Sequence, residues 1–273
     1  MSSIHVVSRD RYARKHWQRY RSYAHAALDP VAPLVLRELS RACTAMPIGF
    51  IELKGELLPV AVQGMEPGKN LFFDPDRGWL SDYIPAIYRS HPFVLGTTSD
   101  GDSVLCVMED SGLLSEADGE PFFDDDGNFA PRLQEVFDFM IQVSQQRSAT
   151  RRICAELRKH GLIQPWPIKR TTDAGAQFIR GLHRIDRDAM QALPAQGLQE
   201  LRLAGALPVI YCHLISMQHM SRLANLALAQ EGGSDAPQLV SEGELDIEFL
   251  NHGGTVSFGS FGRSIKQDQG ERS

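Results

Sequence analysis

Cysteine and histidine carry much of the chemistry that proteins perform, and in this chain both are dispersed. Cys43, Cys106, Cys154 and Cys212 form no C-x-x-C pair, so neither a zinc knuckle nor a dithiol redox motif is written here. Each lies among apolar residues, as in Val104-Leu105-Cys106-Val107, and reads as a small buried hydrophobe. His213 and His219 share one expected helix. Six residues turn a helix through about 600°, so the two rings face different ways and do not chelate one metal. Cys212 and His213 interrupt the most apolar stretch of the chain and are candidate polar core residues. The serine elbow G-x-S-x-G, the P-loop, the dinucleotide fingerprint and H-E-x-x-H are all absent. No metal and no cofactor are expected, and an enzyme would need a site assembled from distant residues.

Three other groupings could bind something. Trp79, Asp82, Tyr83, Tyr88 and Arg89 are gathered in one short stretch that also holds Pro85 and Pro92. The aromatic rings pin an irregular segment, and with Asp82 and Arg89 beside them they are a candidate pocket wall for a peptide or glycan. Residues 9–21 hold six basic side chains against Asp10, interleaved with Tyr12, Trp17 and Tyr20. Such a pattern can stack bases and pair phosphates; the simpler reading is an arm that packs its rings and solvates its charges. Residues 100–126 hold ten acids and no Lys or Arg. With Gly127 at the turn position of an EF-hand, Phe122 and Leu133 occupy the end-ligand positions, so that calcium loop is rejected. The acidic stretch reads as solvated loops that could pair with the basic arm within the fold or across a dimer.

Over 273 residues the net charge is −6, with 42% hydrophobic and 23% charged residues. That composition builds one large or two modest globular units and disfavours nucleic acid as a partner. No signal peptide and no membrane span are read from the sequence, and a cytoplasmic location is expected.

The elements that must position these residues follow from periodicity. Asp29-Pro30 opens an expected helix to Cys43. Ile48 to Leu53 and Leu57 to Val62 form an expected hairpin around Lys54-Gly55. Val104 to Met108 is a strand. Pro131 opens one helix, Ser148 a second through Leu162, and Gly181 to Asp186 reads as a strand entering a turn. Leu207 to Ala229 is expected as a single central core helix. The fold class is α+β: a small antiparallel sheet in the N-terminal half and a helical C-terminal half. The divisions are a basic arm (1–28), an α+β subdomain (29–126), a mainly helical subdomain (127–230), and a linker with a terminal hairpin (231–273).

Several strings together resemble the SapC family of bacterial proteins. They are Pro47-Ile48-Gly49-Phe50, Gly68-Lys69-Asn70-Leu71-Phe72, Tyr83-Ile84-Pro85-Ala86, Tyr88-Arg89-Ser90-His91-Pro92-Phe93, Pro165-Trp166-Pro167 and Tyr211-Cys212-His213-Leu214-Ile215-Ser216. The resemblance runs from about Tyr23 to Leu223. His91 and His183 stand where the family more commonly carries an aromatic residue. The resemblance implies an accessory or interaction protein of a bacterial surface or nutrient-uptake system. Its implied partner is a protein such as a halogenase-like or receptor-associated one, and it supplies no catalytic residues. An enzyme acting on a peptide or small molecule is the alternative. Nucleic-acid binding through the basic arm is the weaker one.

Overall fold

A computed structural model describes residues 3–172 and 175–231 of the chain. The expected linker and terminal hairpin, from residue 232 on, lie outside the described residues. The fold is α+β, built from small antiparallel sheets and helices.

The main sheet grows outward from the expected hairpin. Ile48–Leu53 pairs with Glu56–Val62, with Leu53 opposite Glu56. Only Lys54 and Gly55 remain for the turn, and both have positive φ (52° and 79°), as a two-residue type I′ turn requires. Val31–Pro33 adds to one edge of this pair. Leu182–Ile185 and then Ile163–Pro165 add to the other. The sheet therefore takes strands from both halves of the sequence.

Val31–Pro33 corrects the helix expected over Pro30 to Cys43. The segment is an edge strand, followed by a 3-10 turn at Leu36–Glu38 and one helical turn at Leu39–Ala42. Pro33 has no N–H to give a helix interior, and at a sheet edge that loss costs little.

The basic arm and the acidic stretch fold onto each other. His16–Trp17 runs between Leu114–Ser115 and Glu120–Pro121 as the middle strand of a second small sheet. Arg11 makes a two-pronged contact with Glu109, at 2.9 and 2.7 Å, and Tyr12 donates to the same carboxylate at 2.8 Å. Lys15 stands 3.8 Å from it. Gly127 has a φ of +86°, and any side chain there would meet the Arg9 guanidinium. Tyr12 and Trp17 are fully buried; Tyr12 stacks on Phe122 and Trp17 meets Phe93 edge-on, each with ring centroids 4.9 Å apart. These rings hold a core together and are not available for stacking bases.

The hydrogen bonds from Arg11 and Tyr12 hold the Glu109 carboxyl at about 2, below its ordinary 4.5. A depressed carboxyl stabilises the fold fully above its unfolded value, and that contribution fades as pH falls from about 4.5 towards 2. We expect the urea midpoint of the wild type to drop over that range more than that of Glu109→Gln. Parallel pH profiles would contradict the role given to this carboxylate.

A single 29-residue helix, Pro131–Lys159, connects the two hydrophobic cores. Leu133 and Met140 enter the smaller core with Tyr12, Trp17 and Phe122. Ile153, Cys154 and Leu157 enter the larger core under the main sheet. The second helix expected to start at Ser148 is part of this one, although residues 144–149 carry no apolar stripe. The helix continues there, since nothing between Pro131 and Gly161 breaks it. The stripe lapses because this stretch spans the gap between cores.

The last apolar stretch is also not one regular helix. Leu207–Ser216 passes through a 3-10 turn at Met217–His219 into Met220–Glu231. Nor is it central: Tyr211 and Ile215, one turn apart, are each 52% exposed. Among the described residues, no helix is long and apolar enough to cross a membrane.

Candidate binding site

The site lies where the long helix passes from one core to the other, facing the segment from Tyr83 to Phe93. That segment is irregular, with one helical turn at Ala86–Arg89 entered through Pro85. A buried carboxylate holds it in place. Glu38 accepts from the Val35 N–H at 3.0 Å with one oxygen. The other oxygen accepts from the Tyr83 hydroxyl and the Ala86 N–H, both at 2.6 Å. A buried charge is tolerable when donors surround it. Burial, with Glu38 as neighbour, pushes the Tyr83 hydroxyl above its ordinary pKa.

A second set of contacts anchors the segment to Gln63, just after Glu56–Val62, and to His25 and Asp29, just before the edge strand. The Tyr88 hydroxyl lies 2.7 Å from Gln63 Oε1, and Asp29 is its second partner. Burial raises the pKa of both Tyr88 and Asp29. His25 Nε2 donates to the Tyr88 carbonyl at 3.2 Å, which leaves Nδ1 as the acceptor in the neutral ring. The His25 ring stacks on His91 with centroids 4.0 Å apart and planes 7° apart. Burial, and then His25, pushes His91 down to about 4, and burial lowers His25 as well. Burial and the close approach of the two rings both disfavour charge on them.

Three hollows surround Phe139, which projects from the long helix and lines all of them. The first, of about 380 Å³, has His25, Asp29, Tyr88 and His91 on one side and Val31, Leu95 and Val143 among its apolar walls. The second, of about 290 Å³, is rimmed by Arg37, Arg41 and Arg89. The third, of about 480 Å³, lies against Trp17, Tyr20 and Tyr23 of the arm. Arg89 rests over the Phe139 ring at 5.3 Å and lines the second and third hollows.

Of the five residues expected at a pocket wall, Tyr83, Tyr88 and Arg89 line these hollows. Trp79 lines none of the three. It packs against Tyr23 and Tyr88 and donates its indole N–H to the Tyr83 carbonyl at 2.9 Å. Asp82 is exposed, away from the hollows. Sequence reasoning did not place His25, Asp29, Arg37, Glu38, Arg41, His91 or Phe139 here. The available signals were the His91-Pro92 dipeptide inside a family string and the acid and histidine bracketing Ala26-Ala27-Leu28.

Cys212 and His213 lie apart from the cleft. His213 is fully buried; its Nδ1–H donates to the Ile48 carbonyl at 2.8 Å, and Nε2 accepts from the Ile185 N–H at 3.2 Å. Ser216, one turn on, accepts from the Ile48 N–H at 2.9 Å. The two side chains close backbone groups at the point where Leu182–Ile185 turns from Ile48–Leu53 towards Ile163–Pro165. Cys212 neighbours Cys43, and burial together with that neighbour pushes its thiol up to about 11.

Fold and site together define an α+β protein with a cleft under a bridging helix. The SapC family model matches residues 7–223, so the chain belongs to the SapC family. That span contains the bridging helix, the Tyr83–Phe93 segment and the His213 clamp. No curated protein and no solved structure matches the chain.

Proposed function

We propose that this chain is a non-catalytic accessory protein of a bacterial surface or nutrient-uptake system, working in the cytoplasm. It holds a small, largely apolar molecule in the cleft around Phe139 and serves a protein partner in that loaded state. The observation carrying this reading is the first hollow. Most of its lining residues are apolar, and its polar groups are few: Asp29, Tyr88, the stacked His25–His91 pair and Arg147, with Ser90 and Ser144. Ligand sites are built in this way, with apolar walls for affinity and a few fixed polar groups for orientation. In the cleft, no serine or cysteine is hydrogen-bonded to either histidine among the described residues.

The test is binding of the uncharged dye Nile red, followed by fluorescence. Val143 lines the first two hollows, so Val143→Trp fills them from a helix that tolerates the residue. We expect the wild type to bind the dye and the variant to bind at least tenfold more weakly, with an unchanged circular dichroism spectrum. Equal binding by the two proteins, or none by the wild type, would overturn the reading.

An acid–base enzyme is the second reading. It is favoured by the convergence of His25, Asp29 and Tyr88, whose proton affinities are all shifted, as those of catalytic groups often are. Proton exchange from solvent into a bound compound, lost in His25→Gln with affinity retained, would decide for the enzyme.

A further inference from the structure

The second hollow differs from the first in charge. Arg37, Arg41 and Arg89 converge on its rim, and Gln142 and Gln146 face it from the long helix. The carboxylate that faces them is Glu38, and both of its oxygens are already taken up by Val35, Tyr83 and Ala86. Arg89 approaches that carboxylate only to 3.7 Å and lies instead on the faces of Phe139 and Tyr83. Among the described residues, neither Arg37 nor Arg41 makes an ion pair. Three guanidinium groups against one carboxylate leave positive charge in excess at the mouth of a concavity. Low-dielectric walls strengthen such a field, and the planar fork of arginine suits a carboxylate or phosphate oxygen pair. Arg147 adds a fourth guanidinium at the neighbouring cavity.

The two hollows adjoin. Ala86, Phe139 and Val143 line both, so a molecule placed across this shared edge would have its charged end among arginines and its body among apolar side chains. We propose that the cleft binds a small amphiphile whose carboxylate or phosphate head sits among Arg37, Arg41 and Arg89 and whose apolar body fills the cavity beside His25 and Tyr88. This deepens the ligand-binding reading above and rests on it. The hollows match a small molecule, and a polymer with many charges would find no apolar cavity to fill.

The experiment displaces Nile red from the wild type with decanol, decanoate and decyl phosphate, which share a chain and differ in the head. It is repeated on Arg37→Gln/Arg41→Gln; both positions are exposed, so the fold is not at stake. We expect at least one of the two anions to displace the dye at a concentration tenfold or more below that of decanol, and the stronger anion names the head. In the double variant that advantage should disappear while the potency of decanol stays the same. If decanol is as potent as both anions, or the advantage survives in the double variant, the arginine assignment fails and the apolar cleft stands. If the wild type does not bind the dye at all, both readings fail.

Discussion

His213→Leu should lower the free energy of unfolding by about 3 kcal/mol or more, the largest single-residue effect we expect in this chain. Leucine fills nearly the same space, so little of this comes from a cavity. The loss comes from two backbone groups, the Ile48 carbonyl and the Ile185 N–H, which the imidazole satisfies at 2.8 and 3.2 Å in a fully buried setting. Each buried group left without a partner costs about 1–3 kcal/mol. Urea unfolding at neutral pH, with an unchanged slope, would measure the effect; a midpoint equal to that of the wild type would refute the clamp.

The same contacts predict a pH dependence. Burial, with Arg184 nearby, pushes His213 down to about 4 from an ordinary 6.5. A histidine that is held neutral binds its proton more readily when unfolded. Its contribution is therefore complete above 6.5 and drains away as pH falls towards 4. Protonation would also aim a second N–H at the Ile185 N–H. His25, His91 and His219 are lowered too, so the wild-type slope over this window sums several rings. His213→Leu should flatten that slope in part, and an unchanged slope would show that this ring is not titrating as described.

Glu38→Gln should be the second large effect, about 3 kcal/mol, and unlike the first it should reach the cleft. The carboxylate accepts from three donors in a site that is 6% exposed. Hydrogen bonds to a charged acceptor are each worth about 1.5–3 kcal/mol. An amide keeps one oxygen and turns an N–H2 group towards a donor, so at least one of these contacts becomes a clash. The Ala86 N–H is one of the ties between the Tyr83–Phe93 segment and the body, and it rests on Glu38 alone. We therefore expect its hydrogen-exchange protection to fall together with that of Val35, and Nile red binding to weaken. Protection at Ala86 equal to the wild type would show that the segment is held by other contacts.

Much of the architecture is readable from the residues. Lys54-Gly55 between two alternating runs specifies a hairpin and its register. Pro131 marks the start of the long helix, and Asp186 ends the strand before it by capping the helix that follows. These signals act between residues a few positions apart. Three elements are misread, and in two of them contacts far along the chain decide the outcome. Val31–Pro33 becomes a strand because Val60 to Val62 lie beside it. Residues 144–149 stay helical without an apolar stripe because cores at both ends of the helix hold it.

The site is less legible still. Tyr83, Tyr88 and Arg89 could be marked because they cluster in one short string. Trp79 and Asp82 stand in the same string, yet neither lines the cleft. Across the cleft, His25 and Asp29 come from the end of the arm, Glu38 from a 3-10 turn, and Phe139 and Arg147 from a helix a hundred residues away. No periodicity relates them.

The sequence by itself determined the α+β class, the hairpin at the centre of the main sheet, and the opposite charges of residues 9–21 and 100–126. Each depends on side-chain spacing or on a sum of charge, which need no knowledge of the fold. Only the tertiary structure decided that Arg11 and Lys15 surround Glu109, that His213 closes a sheet, and that arginines and two stacked histidines share one cleft. Those neighbours are set by the burial of two cores along one helix, and burial brings together residues whose separation in the chain carries no local signal.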